Sequence, residues 1–233
     1  MQLGIFGSST TVEGLLTTVE SAAGSGFGSF WTPQIFDLDA LTALAVVGRE
    51  VPEIRLGTAV VPTFPRHPMA LAQQALTVTQ IIGDRLDLGI GLSHQPVVEG
   101  MWGQSFERPV GHMRDYLSVL VPLLSEGKVS HTGELVSGRG EIGVQGPRPP
   151  VYVAALGEQM LRIAGRLADG TVTWMTGPTT IETLTAPTIT SAARSAGRPE
   201  PQIIAAAPVC VTEDTNCSDH RSARTTSRRS RGG

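Results

Sequence analysis

The sequence predicts an α/β protein, a TIM (β/α)8 barrel that ends after its seventh strand. Short apolar segments alternate with segments of helical period, a pattern typical of parallel strands joined by crossover helices. An open nucleotide-binding sheet would carry a G-x-G-x-x-G turn after its first strand, but residues 7–10 read Gly-Ser-Ser-Thr. A barrel is therefore favoured over an open doubly wound sheet. It needs about 250 residues and eight strands, and the alternation stops one helix and one strand short of that.

The elements are predicted from hydrophobic period, β-branched content and terminal residues. The predicted strands are 3–6, 27–31, 55–61, 85–92, 151–155, 171–175 and 202–212. The predicted helices are 11–23, 38–50, 68–82, 113–124, 159–168 and 181–196. Pro68 suits a first helical turn, where its missing N–H costs nothing, and Gly197 suits a helix C-terminus.

Two segments interrupt this pattern. Residues 127–149 are rich in glycine and predict an insertion of hairpin or loop character within a barrel domain that spans 1–212. The tail, 213–233, contains five arginines and three acidic residues and loses the apolar period. It has too little apolar surface to offset its ordering entropy, so we predict disorder from about Asn216 onward. A basic arm for nucleic acid or acidic lipid is the alternative interpretation of the tail.

Composition excludes several classes of function. The net charge of −3 and the pI of about 6.0 argue against a dedicated nucleic-acid binder. Cys210 and Cys217 are too few for a disulfide scaffold and lack metal-ligand spacing. No apolar run approaches the roughly 18 residues of a membrane span, and the N-terminus lacks a basic signal-peptide region. These features predict a reduced, cytoplasmic protein without nucleic-acid or membrane partners.

Catalytic groups of a parallel barrel sit at the C-terminal ends of its strands. His94, after the fourth strand, is the best candidate for proton transfer, and a loop histidine without a catalytic role is the alternative. His67 suits loop positioning or contact with an anion, and His112 at a helix start suits a structural role. No H-E-x-x-H or G-x-S-x-G motif occurs, so neither a metal site nor a hydrolase triad is predicted.

A glycine lies between the fifth strand and the next helix. At Gly157 the backbone N–H groups and the helix dipole could meet an anion, although many such turns contain glycine for geometry alone. Three tryptophans, at positions 31, 102 and 174, are candidates for the floor of an aromatic pocket or for ordinary core and rim positions.

Four segments together resemble the luciferase-like monooxygenase superfamily. They are Leu-Gly-Thr-Ala-Val-Val-Pro-Thr-Phe-Pro-Arg-His-Pro at 56–68 with Ala-Gln-Gln-Ala at 72–75, Gly-Asp-Arg-Leu-Asp-Leu-Gly-Ile-Gly at 83–91, Val-Tyr-Val-Ala-Ala-Leu-Gly at 151–157, and Ala-Asp-Gly-Thr-Val at 168–172. The resemblance extends over about 1–212 and is strongest to the actinobacterial branch that uses the deazaflavin coenzyme F420.

The resemblance implies a barrel with an isoalloxazine-type ring held at its C-terminal face. A bulge in the third strand, often with a non-prolyl cis peptide, backs the ring in this family and maps here to Ala59-Val60. F420-using relatives often have an Asp-His pair after the second strand and a Glu after the fourth. Here Gln34-Ile35 and His94 stand at those places, so the resemblance favours a reductase or oxidase for another small organic substrate over a sugar-phosphate dehydrogenase.

The resemblance and the loop positions together give an expected role to individual residues. The ring is expected against Ala59, Val60, Pro62 and Thr63. The phosphate is expected at Gly157, Glu158, Gln159 and Met160. Arg66 is expected to meet anionic tail groups, His94 to transfer a proton and Gln34 to contact ring or substrate. The expected activity is hydride transfer between F420 and a small organic molecule; an FMN-dependent monooxygenase using O2 and a non-catalytic truncated relative are the alternatives. A homodimer is left open.

Overall fold

The strands form one curved parallel sheet with helices packed on its outer side. A computed structural model describes residues 2–209 of the chain. The barrel strands are β1 (Gly4–Phe6), β2 (Ser29–Thr32), β3 (Arg55–Thr58), β4 (Val61–Pro62), β5 (Leu86–Gly91), β8 (Val151–Ala154), β9 (Gly170–Trp174) and β10 (Gln202–Ala206). Their order is β1-β2-β3-β5-β8-β9-β10, and β4 continues the third position by pairing with β5. The predicted parallel barrel is confirmed.

The remaining elements cover the barrel or project from it. The helices are α1 (Val12–Gly24), α2 (Ala40–Glu50), α3 (Pro68–Ile82), α4 (Gln95–Gly100), α5 (Pro109–Glu126), α6 (Glu158–Leu167), α7 (Pro178–Thr180) and α8 (Ala186–Ser195). A π-helical turn, Ile181–Thr185, joins α7 to α8, and a 3-10 turn, Gly83–Arg85, follows α3. An antiparallel hairpin, β6 (Lys128–His131) and β7 (Gly138–Glu141), lies within 127–149.

The structure refines several predicted boundaries. The predicted strand 55–61 is divided into β3 and β4, and the predicted helix 181–196 contains the π-helical turn. Helix α5 begins at Pro109 rather than 113, and α4 was not predicted. The tail, 213–233, and the end of the predicted last strand lie outside the described residues. No helix within residues 2–209 is both long and apolar enough to cross a membrane.

Alternate residues along each strand serve two separate cores. Those facing outward pack under the helices and are fully buried, among them Phe30, Leu56, Leu88, Ile90 and Val153. Those facing inward form a smaller cluster of Trp31, Tyr152 and Val172, against which Ala59, Val60 and Ile204 pack. Side chains alternate between the two faces of a strand. Ala59 and Val60, which lie between β3 and β4, therefore face the barrel interior with this inner cluster.

Two aromatic contacts show how the interior is filled. The rings of Trp31 and Tyr152 meet edge to face at 5.9 Å between centroids. A Cβ at Gly57 would lie 2.3 Å from the Trp31 ring, so only glycine at 57 leaves room for it. Phe6 of β1 contacts Trp174 of β9 at 5.1 Å between ring centroids, which brings the two sides of the curved sheet together at the C-terminal end.

The third strand gains one residue relative to β5. Between the pairs Gly57–Asp87 and Val61–Ile90 it advances four residues while β5 advances three. The extra residue lies at Ala59-Val60, whose peptide bond is cis, as the resemblance implied. One extra residue in one strand is a β-bulge, and it turns the local backbone away from the ladder.

Thr58 replaces the ladder bonds that the bulge interrupts. Its fully buried hydroxyl donates to the Gly89 carbonyl at 2.7 Å and accepts from the Gly89 N–H at 2.9 Å. A Cβ at position 89 would lie 1.9 Å from the Thr58 carbonyl oxygen. The bulge is therefore specified jointly by a hydroxyl on one strand and a glycine on the next.

Asp39, the N-cap of α2, links three elements near the C-terminal end of the barrel. Its carboxylate accepts from the Thr42 N–H at 2.9 Å, from Gln74 of α3 at 3.0 Å and from the Arg66 guanidinium at 2.6 Å. Burial acts to raise the pKa of Asp39, but the hydrogen bonds from Thr42 and Arg66 outweigh it and hold the pKa below its ordinary value.

Replacing Gly89 by alanine should destabilise the protein by about 1–3 kcal/mol or more, because the added methyl group would overlap a backbone carbonyl that cannot move aside. Urea unfolding measures the effect. Gly100→Ala is the matched control, since a Cβ there meets nothing within 4 Å. Equal stability of Gly89→Ala and wild type would show that the strands at the bulge are not packed as described.

Replacing Asp39 by asparagine should lower the melting temperature at pH 7, since asparagine keeps a helix-capping oxygen but loses the charge that pairs with Arg66. The pKa of Asp39 is depressed in the folded state, so its charge contributes stability above the ordinary carboxyl pKa of 3.8, and this is lost as the pH falls below it. The difference in melting temperature between variant and wild type should therefore stay constant at neutral and mildly acidic pH and narrow as the pH falls below 3.8. A difference that does not change with pH would contradict the ion pair.

Candidate active site

The C-terminal mouth of the barrel exposes an unusual number of large apolar side chains. Six of them end a barrel strand or lie within four residues after one, and each is at least 40% exposed: Phe6, Ile35, Phe36, Leu156, Trp174 and Met175. Exposed apolar side chains concentrated at one place, rather than scattered singly, indicate a binding surface. Ser93 and Met175, which follow β5 and β9, have positive φ values of 65° and 51°, a conformation uncommon outside glycine and frequent at functional sites.

The bulge forms one wall of the barrel interior just below this mouth. Ala59 and Val60 are half-buried and pack against the cluster of Trp31, Tyr152 and Val172. The Ala59 N–H donates to the Thr32 carbonyl at 2.8 Å, which ties the bulge to β2. Two of the four residues assigned to the ring from the resemblance, Ala59 and Val60, therefore occupy adjacent, inward positions on a wall that is bonded to β2 on one side and to β5 on the other.

Pro62, Thr63 and Arg66 belong to the turn that follows the bulge. Pro62 ends β4, and the Thr63 N–H extends the pairing by donating to the Gly91 carbonyl at 2.9 Å. Thr63 is buried, so its side chain lies behind this wall rather than in the mouth. The Arg66 guanidinium is already engaged with Asp39, and its Nη1 atom is buried without a hydrogen-bond partner among the residues described.

His112, for which the sequence predicted a structural role, also holds the turn 63–67. His112, on the first turns of α5, places Nε2 3.1 Å from the Thr63 hydroxyl and stacks on Phe64 at 4.1 Å with 3° between the ring planes. Burial lowers the pKa of His112, and the nearby Asp115 opposes this only in part, so the imidazole is neutral near pH 7. No periodicity signal pairs residue 112 with residue 63, because only the fold brings them together.

The two proposed catalytic side chains lie on separate loops. His94 is the N-cap residue of α4 and is exposed; its side chain makes no hydrogen bond within residues 2–209. Gln34 follows β2 and is half-buried, with its Oε1 accepting from the Ala40 N–H at 3.3 Å. Gln34 thus contacts the start of α2, whereas His94 is free to meet a ligand.

Helix α6 presents a largely open N-terminus on this same side of the barrel. Gly157 is its N-cap and offers no side chain, so no side-chain cap covers the N–H groups of Glu158, Gln159 and Met160. A Cβ at Gly157 would meet nothing within 4 Å, and its φ of −95° suits any residue, so neither packing nor backbone conformation requires glycine there. The Glu158 carboxylate pairs with Arg162 one turn along the helix. The helix end therefore combines open space with free donors.

Other candidate chemistry lies away from the mouth. Two concavities of about 550 and 610 Å³ flank the β6–β7 hairpin and the end of α5, not the strand ends. The structure describes no group of three or more metal-ligating side chains in residues 2–209. Of the three tryptophans, Trp31 lies inside the barrel and Trp174 at its mouth, while Trp102 is half-buried beyond α4.

Comparison with known sequences places this geometry in a family context. Residues 3–226 match the luciferase-like monooxygenase family. A putative coenzyme F420-dependent oxidoreductase of Mycobacterium tuberculosis is 31% identical over 185 residues, which cover 73% of this chain and 53% of that protein. The 5,10-methylenetetrahydromethanopterin reductase of Methanolobus tindarius is 27% identical over 200 residues, covering 85% and 61%.

Solved structures share the fold. The F420-dependent tetrahydromethanopterin reductase of Methanopyrus kandleri superposes with a TM-score of 0.77 at 23% identity, over 88% of this chain and 65% of that one. An F420-dependent secondary alcohol dehydrogenase solved with an F420–acetone adduct gives 0.79 at 20% identity, over 88% and 68%.

The monooxygenase RslO1 of Streptomyces bottropensis also gives a TM-score of 0.79, at 22% identity, over 96% of this chain and 76% of that one. At identities this low the superpositions show the fold alone. The chain spans just over half to about three fifths of the length of the two curated relatives named above. The family match over nearly the whole sequence, with the barrel described above, shows that the chain belongs to the luciferase-like monooxygenase family.

Proposed function

We propose that this protein is an oxidoreductase that transfers a hydride between coenzyme F420 and a small organic substrate. The observation that carries the proposal is the combination, on one side of the barrel, of the apolar wall at Ala59-Val60 and the uncapped, open N-terminus of α6. The names of two sequence relatives support it: one is a putative coenzyme F420-dependent oxidoreductase and the other a 5,10-methylenetetrahydromethanopterin reductase.

The residues present fit such a cofactor. A planar tricyclic ring requires an apolar wall, which Ala59 and Val60 offer, while Pro62 and Thr63, which follow them, are buried. A phosphate requires donors and space, which the N–H groups of Glu158, Gln159 and Met160 and the missing side chain of Gly157 offer. Arg66, whose side chain is 21% exposed beside its ion pair with Asp39, is proposed to meet the anionic tail through that exposed part.

When bound, F420 would supply the hydride chemistry, and the protein would supply orientation and a dry environment. We propose His94 as the group that donates or accepts the proton accompanying hydride transfer, since it is exposed at the mouth and makes no competing hydrogen bond within the described chain. Gln34 is proposed to contact ring or substrate through its amide nitrogen, because its oxygen is used by Ala40.

Titration with F420 and with FMN, followed by cofactor absorbance and tryptophan quenching, tests the proposal. Trp31 and Trp174 flank the proposed site, so binding should quench their emission. Tighter binding of F420 than of FMN is expected. Equal or tighter binding of FMN would favour a flavin monooxygenase, and no binding of either would favour a non-catalytic relative. A version of the chain carrying a family-type eighth βα unit is the parallel sample, because the chain is shorter than its relatives.

Replacing Gly157 by valine should weaken F420 binding at least about tenfold, because a branched side chain would occupy the space above the α6 N–H groups. The fold should remain intact, since a Cβ at this position meets nothing. Gly143→Val is the matched control, because position 143 is equally open and lies in the insertion. Unchanged affinity of Gly157→Val would place the phosphate elsewhere.

Replacing His94 by alanine should lower turnover by about 10²–10⁴-fold, the usual contribution of a positioned acid–base group, while changing the F420 dissociation constant little. Stopped-flow absorbance at the reduced and oxidised cofactor bands, with a substrate found by screening ketones and enones, measures the rate. A rate equal to that of wild type would leave His94 as a loop residue without a catalytic role.

A further inference from the structure

The turn 63–67 connects the bulge and β4 to α3. It forms the side of the proposed ring site that lies nearest Arg66. Its own backbone contributes little to its stability: the Arg66 N–H reaches the Thr63 carbonyl at 3.3 Å, a long bond. Neighbouring elements hold the turn instead. Asp39 of α2 binds the Arg66 side chain, and His67 Nε2 lies 3.0 Å from the Ser137 carbonyl beyond β6.

Helix α5 makes two further contacts with this turn through residues four apart. His112 contacts the Thr63 hydroxyl at 3.1 Å, and the Tyr116 hydroxyl donates to the Arg66 carbonyl at 2.9 Å. Residues i and i+4 share one face of a helix, so both ends of the turn are fastened to a single rigid surface. Burial raises the pKa of Tyr116, which keeps its hydroxyl protonated and donating.

Stacking fixes the orientation of the His112 ring. Phe64 lies parallel to it on one side, and Phe106 stacks on Phe64 at 5.4 Å between centroids. The ring therefore cannot rotate away from Thr63 without breaking an aromatic stack. The imidazole is neutral near pH 7 because burial lowers the pKa of His112. Its hydrogen bond to Thr63 therefore joins two uncharged groups and needs no counterion.

We infer that His112 is a positioning residue: its hydrogen bond to Thr63, supported by Tyr116, holds the turn so that Pro62 and the bulge keep the spacing the cofactor ring requires. This inference rests on the proposed function. His112 is half-buried, and the group that its Nε2 contacts is the hydroxyl of the buried Thr63. Its effect on binding is transmitted through the backbone of residues 62–66.

Two substitutions at position 112 separate the hydrogen bond from packing. His112→Phe keeps a stacked aromatic ring and loses the bond to Thr63, whereas His112→Gln loses the ring and can restore the bond. We expect His112→Phe to raise the F420 dissociation constant at least about tenfold. The dissociation constant of His112→Gln should stay within about threefold of that of wild type. A residue acting through packing alone would give the reverse order.

A matched pair of variants that each lose one hydroxyl tests the second contact and replaces the first test if the His112 variants do not fold. Tyr116→Phe removes the hydrogen bond to the Arg66 carbonyl, and Thr79→Val removes one to the Leu76 carbonyl within α3. Only Tyr116→Phe should weaken F420 binding, even where the two variants lose similar thermal stability. Equal affinities for both would overturn the inference.

The outcomes distinguish this inference from the proposed function. If wild type binds no F420, the proposed function fails and the inference fails with it. If wild type binds F420 and His112→Phe binds it equally well with an unchanged melting temperature, only the inference is overturned. If His112→Gln keeps its affinity for F420 while His112→Phe and Tyr116→Phe lose theirs, the inference and the proposed function are both supported.

Discussion

The structure depends on one register constraint: the third strand carries one residue more than the strand beside it. The extra residue at Ala59-Val60 breaks the ladder, and a buried strand cannot leave its backbone groups unpaired without a cost of about 1–3 kcal/mol per group. Thr58 meets that requirement by bonding both polar groups of Gly89. Because Gly89 has no side chain, β3 and β5 can approach each other at the bulge. The Thr58 hydroxyl and the absence of a Cβ at Gly89 together allow the third strand to bulge toward the barrel interior.

That wall is useful only because the chain beyond it is held in place. After β4 the backbone makes a turn with weak internal bonding, and four outside groups fasten it: Asp39 from α2, Ser137 beyond β6, and His112 and Tyr116 from α5. These contacts come from helices and a hairpin that share no strand pairing with the turn. The helices around the barrel therefore do more than cover its apolar outer face, because their polar residues set the geometry of the inner wall.

The mouth combines two environments that a deazaflavin or flavin needs. Near the bulge the surroundings are apolar and aromatic, which favours a planar ring, while the start of α6 offers uncapped N–H groups and open space, which favours an anion. Charge is sparse between them: Arg66 is paired with Asp39, and Glu158 with Arg162. The apolar side chains exposed at these strand ends include Ile35, Phe36 and Leu156.

The sequence by itself determined most of the element types and the parallel barrel, because alternation of period is a local pattern that survives without neighbours. The location of the bulge followed from the resemblance of residues 56–68 to the luciferase-like family. It also located Gly157 and His94 at strand ends, since chain order fixes which loops follow strands. Only the tertiary structure decided that Gln34 bonds the start of α2, that Thr63 is buried, and that His112 lies behind it. These outcomes depend on contacts between residues tens of positions apart, and side-chain orientation across such distances follows from packing rather than from any local pattern.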